Sequence, residues 1–208
     1  MYAIIWQYHT KAERTAEFER IYASDGEWAR LFRKEKGYLG TALFRAPSHP
    51  QSYITIDRWV SSQVYNSFRA AWEDGYKLLD EQCSNLTDSE SFLGTLSLAQ
   101  MRNLEAEMIV RMWHGRVPTS KADAYREFTN RRAIPDYQSV QGNISVHVLE
   151  RREGDITHFI TLTFWESLEA IKGFAGEDIE VAKYYPEDKD FLLEFEPTVV
   201  HYEVVGQS

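Results

Sequence analysis

The chain of 208 residues has a single cysteine, Cys83, and little positive charge. One cysteine excludes an internal disulfide and any metal site built from several thiolates. The chain carries 23 Lys and Arg against 32 Asp and Glu, a formal net charge of −9, and it has no basic run. Because phosphate groups are bound by clustered Lys and Arg, this balance argues against a nucleic-acid or anionic-membrane partner.

Other signals are missing as well. The sequence has no run of about 18 apolar residues that would span a bilayer, and its first residues, Met1–Trp6, lack the features of a signal peptide. Phosphate-binding glycine loops, zinc-protease motifs and nucleophile elbows do not occur. We therefore expect a cytoplasmic protein with no membrane or nucleic-acid partner, no cofactor and no metal.

The feature that organises the sequence is an internal repeat. Trp6 and Trp113 anchor an alignment in which each half continues with a helical stretch and then a glycine that enters a strand. The segments 57–62 and 163–168 match best. Each contains a Trp with a Ser two residues later, and beyond each segment a Phe lies nine residues after the Trp. The spacing indicates a duplication.

Each half reads β-α-β-β-α-β, which predicts an α+β fold of two tandem ferredoxin-like domains. The predicted domains are 1–98 and 108–208, with a polar, helical linker at 99–107. The predicted strands are 2–8, 39–45, 53–58 and 92–96, then 108–117, 144–150, 157–164 and 198–205. The predicted helices are 12–33, 62–82, 121–132 and one that Ser167 caps.

Alternation along the strands of the second half separates two sets of side chains. One is apolar and is predicted to face the helices: Val110, Met112, Val146, Val148, Ile160, Leu162 and Phe164. The other is of mixed polarity: Arg111, Trp113, His147, Thr161, Thr163, His201 and Glu203. A mixed face suits packing against a second sheet, so we expect the halves to form an intrachain dimeric α/β barrel, with further homo-oligomerisation left open.

The second half resembles the antibiotic biosynthesis monooxygenase family. The resemblance lies in the segments 109–115, 164–171, 174–178, 184–188 and 196–205. The first half matches mainly around Trp6, Gly37 and Trp59. The resemblance implies a ferredoxin-like fold paired as a dimeric α/β barrel, and oxygenation of electron-rich aromatic substrates without a cofactor.

A haem-degrading branch of the same superfamily has a Trp nine residues after the junction Trp and a His ten residues further on. Those places hold Phe174 and Tyr184 in the second half, and Phe68 and Leu78 in the first. Haem degradation is therefore disfavoured.

His114 and Tyr184 are the candidate catalytic residues. An imidazole at position 114, predicted on the helix-facing side, would deprotonate a phenol, while a structural histidine bonded to a backbone carbonyl is the alternative. Tyr184 would orient a substrate oxygen or, alternatively, plug the core. The predicted substrate pocket consists of Met112, Phe164, Phe174 and Tyr185.

Two functions stay open: a cofactor-independent monooxygenase for a small phenol or quinol, and a non-catalytic ligand-binding or structural protein. Converging polar groups in an apolar pocket would favour catalysis, and a filled pocket would favour the structural role. The working pocket is predicted in the second half, because His114 aligns with Gln7, which cannot exchange a proton near neutral pH.

Overall fold

The computed structural model describes residues 1–97 and 108–205. The chain divides into two compact units: unit 1 contains residues 1–97 with 204 and 205, and unit 2 contains residues 108–203. The predicted linker at 99–107 lies outside the described residues. None of the described helices is long and apolar enough to cross a bilayer.

Unit 1 is a ferredoxin-like β-α-β-β-α-β domain. Its elements are β1 (Tyr2–Thr10), α1 (Thr15–Tyr22), α2 (Glu27–Phe32), β2 (Tyr38–Ala46), β3 (His49–Trp59), α3 (Ser62–Ala71), α4 (Glu73–Cys83) and β4 (Thr87–Ser97). The strands lie in the order β4-β1-β3-β2, and each neighbouring pair is antiparallel. The helices pack on one face, around an aromatic core that includes Phe18, Phe32 and Trp59.

Unit 2 repeats this arrangement. Its elements are β5 (Ile109–Pro118), α5 (Ala122–Phe128), α6 (Ile134–Gln138), β6 (Asn143–Glu153), β7 (Ile156–Trp165), α7 (Leu168–Ala175) and β8 (Val200–Val204). The order β8-β5-β7-β6 reproduces that of unit 1. The α+β class and the tandem ferredoxin-like domains are therefore confirmed.

Matching caps support the duplication. The Ser61 hydroxyl accepts a hydrogen bond from the Val64 N–H at 3.3 Å, and the Ser167 hydroxyl accepts one from the Ala170 N–H at 3.1 Å. Both serines satisfy a free N–H at the start of a helix.

Two predicted helices are interrupted. The stretch 12–33 breaks between α1 and α2, where Gly26 precedes α2 in an extended conformation. A Cβ at Gly26 would lie 2.3 Å from the Ile21 carbonyl oxygen, so only glycine permits this close approach of the backbone. The stretch 62–82 breaks at Trp72, between α3 and α4.

The predicted assignment of sheet faces in unit 2 is correct for β6, where Val146 and Val148 face the helices and His147 does not, and it is wrong for β5, β7 and β8. Arg111 and Trp113 lie on the helix-covered side, where Trp113 packs against the cluster of Val117, Tyr125 and Phe159. Thr161 and Thr163 pair with these residues across the sheet and share their face. Met112, His114 and Phe164 therefore lie on the opposite face. Val110, Leu162 and Phe164 are fully buried there, so hydrophobicity did not distinguish the two faces.

Candidate active site

Unit 1 contains a cavity of about 230 Å³ between its helices and the covered face of its sheet. We call this the unit 1 cavity. All four strands and all four helices of unit 1 contribute lining residues. These residues are Trp6, Tyr8, Tyr22, Trp28, Phe32, Thr41, Thr55, Asp57, Arg69, Tyr76, Asp80 and Glu90. An engineered apolar cavity of about 150 Å³ admits benzene, so this space is large enough for a substituted aromatic ring.

Half of the lining residues are aromatic. The Trp28 ring centre lies 4.8 Å from that of Tyr76 and 6.1 Å from that of Tyr22. On the strand side, the rings of Trp6 and Tyr8 stack with their centres 6.4 Å apart. Flat rings bury a large apolar area and pack well against the edges and faces of another aromatic ring.

Asp57 supplies a carboxylate to this aromatic wall. The residue lies on β3 directly across from Thr41 on β2, and the Thr41 hydroxyl donates a hydrogen bond to its carboxylate. Since that proton is committed, Tyr38 donates its own O–H to the Thr41 oxygen, at 2.5 Å. Burial raises the pKa of Asp57 to about 6, and the hydrogen bond from Thr41 limits the rise.

Two further polar groups of the cavity wall, Trp28 Nε1 and Thr55 Oγ1, are buried. Neither makes a hydrogen bond of good geometry within the described residues, although the Tyr22 hydroxyl and the Cys83 thiol lie near Trp28 and the Tyr8 hydroxyl lies near Thr55. The side chains of Trp28 and Thr55 are 6% and 2% exposed. Buried polar groups are normally hydrogen-bonded, so these atoms are suited to contact a ligand inside the cavity.

Arg69 also lines the cavity. Its guanidinium stacks on the Tyr76 ring at 3.6 Å and donates to the Tyr65 hydroxyl at 3.2 Å. Asp80 and Glu90 also line the cavity and are exposed residues. The carboxyl of Glu90 is nevertheless partly desolvated, which raises its pKa. Three charged residues besides Asp57 therefore join the aromatic rings in lining the cavity.

The equivalent region of unit 2 is filled, leaving only about 30 Å³. We call this space the unit 2 pocket. The alignment places Gly115 where unit 1 has Tyr8, and the Trp113 ring lies so close to Gly115 that a Cβ there would be 2.2 Å from it. The Tyr184 hydroxyl donates to the Glu196 carbonyl at 2.6 Å and accepts from Trp113 Nε1 at 3.3 Å. Tyr184 and Trp113 therefore have a packing role.

The structure brings together only part of the predicted site. Tyr184 and Tyr185 line the unit 2 pocket, and Phe174 is buried on the same side of the sheet. Met112 and Phe164 lie on the other side of the sheet, as described above, so these five residues do not form one pocket. The Tyr185 hydroxyl donates to Asp136 at 2.7 Å, a contact that holds it in place.

His114 lines neither cavity. Its ring stacks on that of His158 with an angle of 8° between the planes, and Nε2 lies 2.9 Å from Nδ1 of His158. Burial, with a further contribution from His158, lowers the pKa of His114. The residues that the structure describes include no group of three His, Cys, Asp or Glu side chains arranged to hold a metal.

Sequence reasoning missed Asp57 as a site residue. The signal that was available is its position, two residues after Thr55 and two before Trp59, which places a carboxylate on the buried face of a strand. Acidic side chains are usually exposed to solvent, so a carboxylate at a strand position predicted to be buried indicates a functional role.

Comparison with known families places the match in unit 1. A family model described as antibiotic biosynthesis monooxygenase matches residues 1–73. This is the half in which residue comparison indicated the weaker resemblance. No curated protein matches the chain.

Solved structures share the fold over nearly the whole chain. A putative monooxygenase from Fusobacterium nucleatum is 8% identical, with a TM-score of 0.64, over 99% of this chain and 92% of that one. A similarly named protein from Lactobacillus acidophilus is 10% identical, with a TM-score of 0.61, over 100% and 99%. An anthrone oxidase-like protein is 14% identical, with a TM-score of 0.55, over 99% and 91%. At these identities the likeness concerns the fold.

The family match covers β1 to β3 and the first three helices, and it therefore includes Asp57, Thr41 and most of the aromatic wall. Residues 1–73 of this chain are an antibiotic biosynthesis monooxygenase domain.

Proposed function

We propose that the unit 1 cavity is the active site of a monooxygenase that oxidises a small phenol or quinol without a cofactor. The observation that carries this proposal is the carboxylate of Asp57, with its pKa raised to about 6, inside a cavity walled by aromatic rings. The volume of about 230 Å³ suits a substrate of one or two rings.

Asp57 is the general base. At neutral pH a carboxyl group with a pKa of about 6 is mostly ionised, and it both accepts and returns a proton readily. It takes the hydroxyl proton of the bound phenol, which leaves an electron-rich phenolate against the rings of Trp28 and Tyr76. The buried N–H of Trp28 is available to the oxygen atoms of the reaction.

The phenolate then reduces dioxygen. Transfer of one electron followed by C–O bond formation gives a ring peroxide anion, which takes the proton back from Asp57. Asp57 next removes the hydrogen from the same ring carbon, the O–O bond breaks, and the departing hydroxide leaves as water with that proton.

In sum, one phenol and one O₂ give one quinone and one water. One oxygen atom enters the product, and the substrate supplies all four electrons. The reaction therefore requires neither an external reductant nor a bound redox group.

Two contrasts between the units support catalysis in unit 1. The paired Thr41 and Asp57 are polar groups that converge beside the aromatic rings of the cavity, which favours catalysis over passive binding. The unit 2 pocket, with about 30 Å³, has no space for an aromatic ring, which favours a structural role for that region.

Oxygen uptake tests the proposal. Purified protein is mixed with a panel of monocyclic and bicyclic phenols and hydroquinones, without added flavin, metal or reductant, and products formed under ¹⁸O₂ are weighed by mass spectrometry. We expect one labelled oxygen atom per product and a loss of about 100-fold or more in kcat for Asp57→Asn. Asp88→Asn, which changes an exposed carboxylate on β4, is the matched control and should retain full activity.

Three results would contradict the proposal: turnover that requires added reductant, product oxygen derived from water, or an Asp57→Asn variant as active as the control.

A further inference from the structure

We propose that the unit 2 pocket binds a small monovalent anion, such as chloride, at the guanidinium of Arg111. Arg111 lies on β5, on the helix-covered face, and it is 2% exposed. The site is separate from the unit 1 cavity, and its occupancy does not depend on the reaction proposed there.

Arg111 lacks a counter-ion. Its Nη2 donates to the Val181 carbonyl at 3.0 Å, and its guanidinium lies 5.9 Å from the centre of the Phe174 ring. Nε is buried without a hydrogen-bond partner, and no carboxylate of the described residues forms an ion pair with Arg111. Arginine remains protonated in proteins, and a buried cation without a partner is strongly unfavourable. An anion would supply the missing partner.

The other lining groups are compatible with an anion. The Lys183 ammonium also lines the pocket, and Asp136 pairs with it at 2.9 Å, so this ion pair adds no net charge. Asp188 also lines the pocket, but its carboxylate accepts hydrogen bonds from the Tyr185 N–H at 2.7 Å and the Tyr125 hydroxyl at 3.4 Å. Burial also raises the pKa of Asp188, which disfavours its negative charge.

The size of the pocket selects the ligand. Its volume of about 30 Å³ exceeds the roughly 10–15 Å³ that one bound water molecule requires. A monatomic anion therefore fits this space, whereas an aromatic carboxylate does not.

The duplication shows that this charge is specific to unit 2. The cross-strand pair Ile4 and Asp57 in unit 1 corresponds to the pair Arg111 and Thr163 in unit 2. This cross-strand pair therefore carries a carboxylate on β3 in unit 1 and a guanidinium on β5, the counterpart of β1, in unit 2. The adjacent His201 adds no charge at neutral pH, because burial and the nearby Arg111 lower its pKa to about 4.

Chloride binding by the full-length protein tests the inference. The excess ³⁵Cl linewidth is measured at constant ionic strength, with bromide as the competitor, for the wild type, Arg111→Gln and Arg131→Gln. Arg131 is exposed in the same unit and serves as the matched control. We expect Arg111→Gln to bind chloride about tenfold more weakly or worse, as for loss of a charge-assisted hydrogen bond, and Arg131→Gln to bind as the wild type does.

Absence of excess broadening in the wild type, or equal broadening in wild type and Arg111→Gln, would overturn the inference. If Arg111→Gln does not fold, wild-type crystals grown in bromide decide the question. An anomalous peak within hydrogen-bond distance of Arg111 supports the site, and its absence there refutes it.

Discussion

Replacing Asp57 by Asn should stabilise the protein at neutral pH while abolishing the proposed activity. The folded protein holds this carboxyl at a pKa of about 6, against an ordinary value of 3.8. Asn has nearly the same shape and still accepts a hydrogen bond from Thr41. It also avoids placing a charge in a largely dehydrated position.

The sign and size follow from linkage. Between pH 3.8 and about 6 the folded protein binds the Asp57 proton more tightly than the unfolded chain does, so the free energy of unfolding falls as the pH rises through that window. About two pKa units correspond to ~3 kcal/mol, which is an upper limit for how much the ionised Asp57 destabilises the folded protein at neutral pH. Asp57→Asn lacks this contribution. Its free energy of unfolding should therefore exceed that of the wild type above pH 6 and approach that of the wild type below pH 4.

Thermal unfolding at several pH values between 4 and 8 measures the effect. For a chain of this size each kcal/mol shifts Tm by about 2–4 °C, so a difference of several degrees is expected at pH 7. Asp88→Asn, which changes an exposed side chain, should follow the wild type at every pH. A destabilised Asp57→Asn at pH 7, or a difference that does not depend on pH, would refute the assigned burial of this carboxylate.

Three further predictions concern other parts of the chain. Thr41→Val removes the hydrogen bond that limits the pKa of Asp57, so the midpoint of the acidic limb of the kcat/KM profile should move up by about one to two pH units; an unchanged midpoint would contradict the network. His114→Ala, which changes a residue of unit 2 that lines neither cavity, should retain near wild-type kcat, and a loss equal to that of Asp57→Asn would restore the prediction made from sequence. Gly142→Ala should destabilise the protein by about 1–3 kcal/mol in urea unfolding, because φ is +86° and the new Cβ would lie 2.6 Å from that of Ala170; Gly154→Ala, with open space around it, should cost less.

The fold could be predicted because its signals are local. Alternating strand residues, the turn at Gly154 with its φ of +58°, and the cap at Ser167 each follow from neighbouring residues in the sequence. The interruption of the predicted helix 12–33 depends instead on the contact between Gly26 and the Ile21 carbonyl, which no periodicity reveals.

The site was harder to predict because it depends on volume. Trp6 and Trp113 are equivalent in the alignment. The orientation of each ring decides whether its unit contains a cavity. Trp6 stacks on Tyr8 beside an open space, whereas Trp113 lies over Gly115 and fills the corresponding place. The sequence shows both tryptophans but not the direction of either ring, so the working half was predicted from His114 instead.

A crystal structure with a small phenol bound tests the central claim most directly. We expect the ring in the unit 1 cavity, against Trp28 and Tyr76, with its hydroxyl oxygen about 2.5–3.0 Å from a carboxylate oxygen of Asp57. A phenol bound only in unit 2 or on the surface, or a ring in the unit 1 cavity whose hydroxyl points away from Asp57, would contradict the account.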